Sequence, residues 1–182
     1  MDKIIYFESD ISQRDICRGE IYFEFLEYAF SKTDYFMLVY VNYYNNGYTP
    51  KQEYFRNLLR KFEVKIRTNP SWPGTLQTVC PNTTYTIIFY KNDPTAIKIL
   101  KEADSLSAWS RPEMPEDLAF FKGNQCWFYS VGHEKIASVI HADELDIEFL
   151  KSKGLVNDKN AFNHEDDYYN QYDEELPCDE KF

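Results

Sequence analysis

The sequence predicts an α+β fold that is α/β-like in its N-terminal half: a single domain with a mixed central β-sheet, flanking helices and a C-terminal β-hairpin or meander. Three observations lead there. Residues 35–41, YFMLVYV, form an almost unbroken apolar run of the kind found in strands covered on both faces. A helix with a clear start at Thr49 and Pro50 follows, and a strand pattern resumes at Val64, so residues 35–68 read as a βαβ unit with its two strands parallel. Further on, residues 117–121 and 125–131 are aromatic and β-branched runs separated by Gly123 and Asn124, a pair that suits a hairpin turn because glycine accepts a positive φ.

Taken in order, residues 3–7 are a candidate edge strand, and residues 9–18 are polar enough for a loop or a short helix. Over residues 19–32, Glu20, Glu24 and Glu27 line one side of a helix while Ile21, Tyr22, Phe25, Leu26, Ala29 and Phe30 supply a broad apolar face. In the second helix Thr49 is the N-cap, Pro50 takes the first helical position and Gln52 stands where a capping box needs it. Tyr54, Phe55, Leu58, Leu59 and Phe62 form its buried face. Residues 69–81 contain NPSWPG and read as irregular, whereas residues 84–90, TYTIIFY, read as a central strand. Asp93 and Pro94 start a helix that turns Ile97, Leu100 and Ala103 inward. After a loop over residues 105–114, the hairpin begins. In its second strand the period of two puts Trp127, Tyr129, Val131 and His133 on one face and Cys126, Phe128 and Ser130 on the other. Residues 132–135 form a corner, residues 136–140 return as a third strand, and residues 143–153 make a last helix. Its acids Asp143, Glu144 and Asp146 open it and Lys151 and Lys153 close it, matching the helix dipole, with Gly154 just past its end.

A chain of 182 residues, 43% of them hydrophobic, suits one core. Composition divides it into a globular part, residues 1–155, and an acidic, tyrosine-rich tail, residues 156–182. No apolar run reaches the roughly 18 residues a membrane helix needs, and the opening MDKIIYFESD turns acidic too early for a signal peptide. A cytoplasmic protein without membrane contact is expected. Cys17, Cys80, Cys126 and Cys178 are widely spaced and read as reduced, structural thiols. The formal net charge is −10, and nine acids against two lysines place −7 of it in residues 156–182. Such a balance disfavours nucleic acid and acidic lipid and steers in a basic protein partner.

No catalytic signature assembles along the chain. His133 and Glu134 begin an HExxH-like pattern, but Ala137 stands at the position of the second ligand, and His141 could share a metal with His133 only across a turn. Cys126 and His133 fall on opposite faces of the predicted strand. Glu116 and Asp117 are adjacent, point apart and read as solvated. Phosphate-binding glycine motifs and a nucleophile elbow do not occur. The expectation is a protein that is not an enzyme and holds no cofactor or metal.

Two regions suit binding. The first is Glu165, Asp166, Asp167, Tyr168, Tyr169, Tyr172, Asp173, Glu174 and Glu175. Tyr168, Tyr172 and Leu176 recur every four residues, so a short helix would present an aromatic stripe bordered by carboxylates. That stripe suits either the chain's own sheet or a partner. The alternative is a small-molecule-binding sensor or enzyme built on Asn42, Tyr43, Tyr44, Asn45 and Tyr48, between a strand's carboxyl end and a capped helix, with His133 and Glu134 brought near.

The words PEDLAFF and CWFYSVGHE within residues 115–134, in a small acidic chain, resemble immunity proteins of bacterial toxin-immunity systems of the contact-dependent inhibition and polymorphic toxin kinds. The resemblance implies a cytosolic inhibitor that neutralises a basic, nuclease-type toxin by acidic and aromatic surface complementarity. It assigns no individual residue, because immunity proteins share no residue motif.

Overall fold

A computed structural model of the chain describes residues 3–7, 15–75, 80–156, 161–162 and 174–177. The strands are β1 (Lys3–Tyr6), β2 (Tyr35–Asn42), β3 (Glu63–Thr68), β4 (Thr84–Lys91), β5 (Glu116–Lys122), β6 (Gln125–Val131), β7 (Ile136–Ala142) and β8 (Ala161–Phe162). The helices are α1 (Glu20–Lys32), α2 (Pro50–Leu59), α3 (Pro94–Leu100) and α4 (Glu144–Ser152). All eight strands form one sheet in the order β3-β4-β2-β5-β6-β7-β1-β8, giving the α+β class.

β2 and β3 do run in the same direction, as a βαβ reading requires, but β4 lies between them and pairs antiparallel with both. Every ladder in the sheet is therefore antiparallel rather than mixed. The physical reason lies in composition. β4 and β2 are both apolar on two faces, and they pair over their full length from Tyr35↔Lys91 to Asn42↔Thr84, whereas β3 alternates charged and apolar residues and stays half-exposed at the edge. The expected meander is present as β5-β6-β7.

All four helices pack on one face. Phe25, Leu26 and Ala29 of α1, Phe55 and Leu59 of α2, Ala96, Ile99 and Leu100 of α3, and Ile147 and Leu150 of α4 share a cluster with Phe36, Leu38, Tyr40, Ile88, Tyr90, Phe120 and Phe128 of the sheet. The acids of α1 clasp its neighbours: Glu24 pairs with Lys153 at 2.7 Å and Glu27 with Lys101. α4 begins with a reciprocal cap, the Asp143 carboxylate accepting from the Asp146 amide at 2.8 Å and the Asp146 carboxylate from the Asp143 amide at 3.0 Å. Asp146 is buried and also accepts from Tyr28, Lys32 and Trp127. On α2, Tyr54 and Leu58 are exposed instead of buried. The inward residues there are Gln52, Phe55 and Leu59, and Gln52 leaves its capping-box role to accept from the Val41 amide at 3.0 Å and donate to the Pro112 carbonyl at 3.3 Å.

The second face carries Tyr35, Met37, Val39, Val41, Tyr85, Ile87, Phe89, Phe121, Tyr129 and Val131, and among the described residues it is covered by Trp72 and Leu176 from irregular segments. Cys126 joins Tyr129 on this face and Trp127 joins Phe128 on the helix face. This reverses the expected alternation. β6 advances two residues, Cys126 to Phe128, against one on β5, so a bulge at Trp127 turns that side chain toward Asp146.

Candidate functional site

A second bulge builds the site. β5 takes three steps from Ala119 to Glu116 while β2 takes two from Met37 to Val39, and Asp117 sits in the left-handed region with φ 57°. Neighbours expected to point apart and meet water are therefore both buried, at 2% and 1% exposure, and both meet residues of the second face, Asp117 at Trp72 and Glu116 at Tyr43.

Asp117 works as an anchor. One of its oxygens accepts from Trp72 Nε1 at 2.8 Å and Thr75 Oγ1 at 3.5 Å, the other accepts from the Gly132 amide at 3.0 Å, and its own amide donates to the Trp109 carbonyl. Burial raises its pKa, and Trp72, the Gly132 amide and His133 offset part of the rise. A single residue thus ties three segments to the sheet, its carboxylate holding the Trp72 segment and the Gly132 corner and its amide the Trp109 loop.

Glu116 stands behind a more open surface. Its Oε1 accepts from the Tyr43 hydroxyl at 3.0 Å, with Arg111 Nε 3.5 Å away, and the Tyr43 hydroxyl accepts from Arg111 Nη1 at 3.0 Å. Burial, and then the charge of Asp117, pushes the Glu116 carboxyl up to about 7, against the pull of Arg111 and Tyr43. Burial also raises the Tyr43 phenol, and the bond to Tyr43 raises Arg111. Near neutral pH this carboxyl is divided between its two protonation states while the Arg111 side chain, 40% exposed, faces water. Among the described residues the buried Tyr85 hydroxyl has no hydrogen-bond partner, and its ring lies 5.2 Å from that of Trp72. Beside it a cleft of about 270 Å³ is lined by Thr68, Asn69, Cys80, Thr83 and Tyr85.

Of the strand-end loop, only Tyr43 enters this cluster. Asn42 accepts from the Gly47 amide at 2.8 Å as turn chemistry, Tyr44 is 64% exposed with φ 52°, and Asn45 is also left-handed. Tyr48 turns to the helix face, where its hydroxyl meets Thr86 Oγ1 at 2.7 Å and Arg56 lies over its ring. His133 and Glu134 occupy the short 3-10 corner Gly132–Glu134, 3.6 Å from each other, and His133 acts on Asp117 rather than on Tyr43. Cys126 is buried and donates to the Phe128 carbonyl. Among the described residues no group of three or more His, Cys, Asp and Glu side chains is placed to hold a metal ion.

The acidic run divides differently. Glu165, Asp166, Asp167, Tyr168, Tyr169, Tyr172 and Asp173 lie outside the described residues. Glu174 is 7% exposed and shared between Lys65 Nζ at 3.1 Å and Arg67 Nε at 2.7 Å. Its amide donates to the Asn124 carbonyl at 2.8 Å, and the Leu176 amide donates to Asn124 Oδ1 at 3.0 Å. Glu175 stays exposed while its carbonyl accepts from Lys65, and the Pro177 carbonyl accepts from the Tyr35 hydroxyl. Leu176 is buried outside any helix. Arg111, Tyr85, Lys65 and Arg67 join the expected residues here, and in the sequence only the cation pair Lys65 and Arg67, at alternate positions of a strand, signals a role. No family model, curated protein or solved structure matches this chain. Among the described residues no helix is long and apolar enough to cross a membrane.

Proposed function

We propose that this chain is a protein-binding inhibitor of the immunity type, acting in the cytoplasm by occupying a basic, nuclease-type toxin. One observation carries the reading: the chain is attached to the sheet on both sides of residues 163–173, at β8, which pairs with β1, and at residues 174–177, which pack on the second face. Glu165, Asp166, Asp167, Tyr168, Tyr169, Tyr172 and Asp173 thus belong to a segment joining two fixed points, with exposed Glu175 beside it. Closing a segment at both ends lowers the entropy lost when it binds. Carboxylates speed encounter with a basic surface and tyrosines slow release. Glu174 serves this reading as an attachment, since its carboxylate is committed to Lys65 and Arg67. The resemblance at residues 115–134 points the same way.

The test is calorimetric titration against the product of the neighbouring reading frame, together with protection of cells that express it. Tight binding and protection are expected, with the association rate falling at least tenfold when Glu165, Asp166 and Asp167 are changed to their amides. Absence of both binding and protection removes the proposal.

A small-ligand reading rests on the buried Tyr85 hydroxyl, which has no hydrogen-bond partner among the described residues, beside Glu116 and the adjoining cleft. It requires a polar compound whose binding, followed by NMR shifts, is lost in Tyr85→Phe.

A further inference from the structure

We infer that the groove between the edge strand β3 and the β5–β6 turn is a peptide-recognition site that binds, in trans, an extended segment of a partner protein with a carboxylate, any residue, an apolar side chain and a proline in succession. The chain's own residues 174–177, Glu-Glu-Leu-Pro, occupy it in cis and display its chemistry.

Recognition there is of the kind used for extended peptides. Two ligand amides two residues apart, those of Glu174 and Leu176, both donate to Asn124 at the hairpin turn, one to its carbonyl and one to its side chain. Two cations, Lys65 and Arg67, share the Glu174 carboxylate, and Lys65 also holds the next carbonyl. The Leu176 side chain joins the cluster of Met37, Phe89 and Phe121, and the Tyr35 hydroxyl donates to the Pro177 carbonyl. Glu174 and Leu176 are buried while Glu175 and Pro177 between and after them are exposed, so the groove reads alternate side chains. Proline after Leu176 biases that residue toward the extended conformation the site requires.

Among the described residues, these groups that hold the segment come from the sheet or its turn. Tyr35 lies on β2, Lys65 and Arg67 on β3, Phe89 on β4, and Asn124 in the two-residue connection of β5 to β6. These receptor groups are positioned by sheet and turn rather than by the segment they hold. Withdrawing Glu174 takes a shared carboxylate from two cations that stand over the Phe89 ring at 5.9 and 5.8 Å, with Arg67 also held by the Ser71 carbonyl at 2.9 Å. In a chain of net charge −10 this is a place where an acid from outside is attracted. The groove would take such a segment whether or not the partner of the acidic run is a toxin.

The test uses the full chain with Glu174→Ala and Leu176→Ala, which disable the resident segment and leave the receptor intact, and a fluorescent peptide of residues 172–178 with serine at its last position. Anisotropy should show the peptide binding the double variant at least tenfold more tightly than the unaltered chain, and binding should be lost on adding Arg67→Ala. A folded double variant, judged by unchanged near-UV circular dichroism, that ignores the peptide overturns the proposal, as does equal binding to both chains. Independently of any variant, excess peptide should accelerate hydrogen exchange at the Glu174 and Leu176 amides of the unaltered chain at least tenfold; no change overturns it. Dimers of the unaltered chain in sedimentation that the double variant does not form would give the groove to a second copy and equally overturn the assignment to a partner.

Discussion

On one side of the sheet, α1 to α4 arrive with their backbone groups already paired within themselves and meet it through side chains such as Phe25, Phe55, Leu100 and Leu150. On the other side, the Trp72 segment and residues 174–177 have no regular structure to satisfy them, and carboxylates provide their attachments: Asp117 for Trp72 and Thr75, Glu174 for the return of the chain to Lys65 and Arg67. The difference teaches where polar burial is needed. The helices close the sheet chiefly by apolar contact, with Asp146 and Gln52 adding polar ties, whereas the irregular cover depends on buried charges whose desolvation is offset by several donors each. It also explains why the proposed peptide groove falls on the second face: its cover is held by interactions that another molecule can imitate.

The comparison breaks if removing apolar bulk from the helix side fails to exceed every change on the other side. Trp109 is fully buried, lies edge-on to Phe55 at 5.1 Å and donates to the Tyr22 hydroxyl at 2.8 Å. Trp109→Ala should lower global stability by about 4 kcal/mol in urea denaturation; a loss under about 1 kcal/mol would reverse the ranking. Next comes Asp117→Ala, expected to lower stability by about 3 kcal/mol because it strands the Trp72 indole and Gly132 amide donors. The comparison predicts a local signature as well, with exchange at residues 72–75 rising while the amides of α1 remain protected.

Glu116→Gln sharpens the electrostatic half of the contrast. Its folded pKa of about 7 lies above the ordinary 4.5, so the folded chain holds that proton more tightly than the unfolded chain. The stabilisation from the protonated form is fully present below pH 4.5 and is lost as pH rises through 7. The amide should therefore change little at pH 4 and add on the order of 2 kcal/mol at pH 8, measured as a flattened pH dependence of the urea midpoint. Asp117, also raised by burial, adds a slope of the same sign. Smallest of all, Tyr54→Phe removes an exposed hydrogen bond to Glu102 on the helix side and should move stability by less than about 0.5 kcal/mol; a larger change would mean that the outer surface of α2 contributes to the fold.

Local chemistry was legible wherever neighbours in sequence are neighbours in space. Gly123 and Asn124 turn the hairpin, Thr49 and Asp93 cap their helices, and the acids Asp143, Glu144 and Asp146 open the last one. The apolar runs of β2 and β4 could be read as covered strands because a sheet buried on both faces leaves no polar alternation. What escaped the sequence depends on pairing between distant segments. Nothing in residues 35–68 says that β4 will enter between β2 and β3, and nothing in Glu116 and Asp117 says that a bulge against β2 will turn both inward.

Amino-acid order by itself determined the class of fold, the positions of most strands and helices, and the acid excess concentrated after residue 156. Tertiary structure alone decided which acids remain on the surface. Burial, register and a left-handed residue are consequences of long-range strand pairing, and they made Asp117 an anchor, Glu116 a group that titrates near neutrality, and Glu174 the ligand of two cations. A carboxylate's role is set by the dielectric and the donors around it, and in this chain those donors come from residues about 15 to 109 positions away along the backbone.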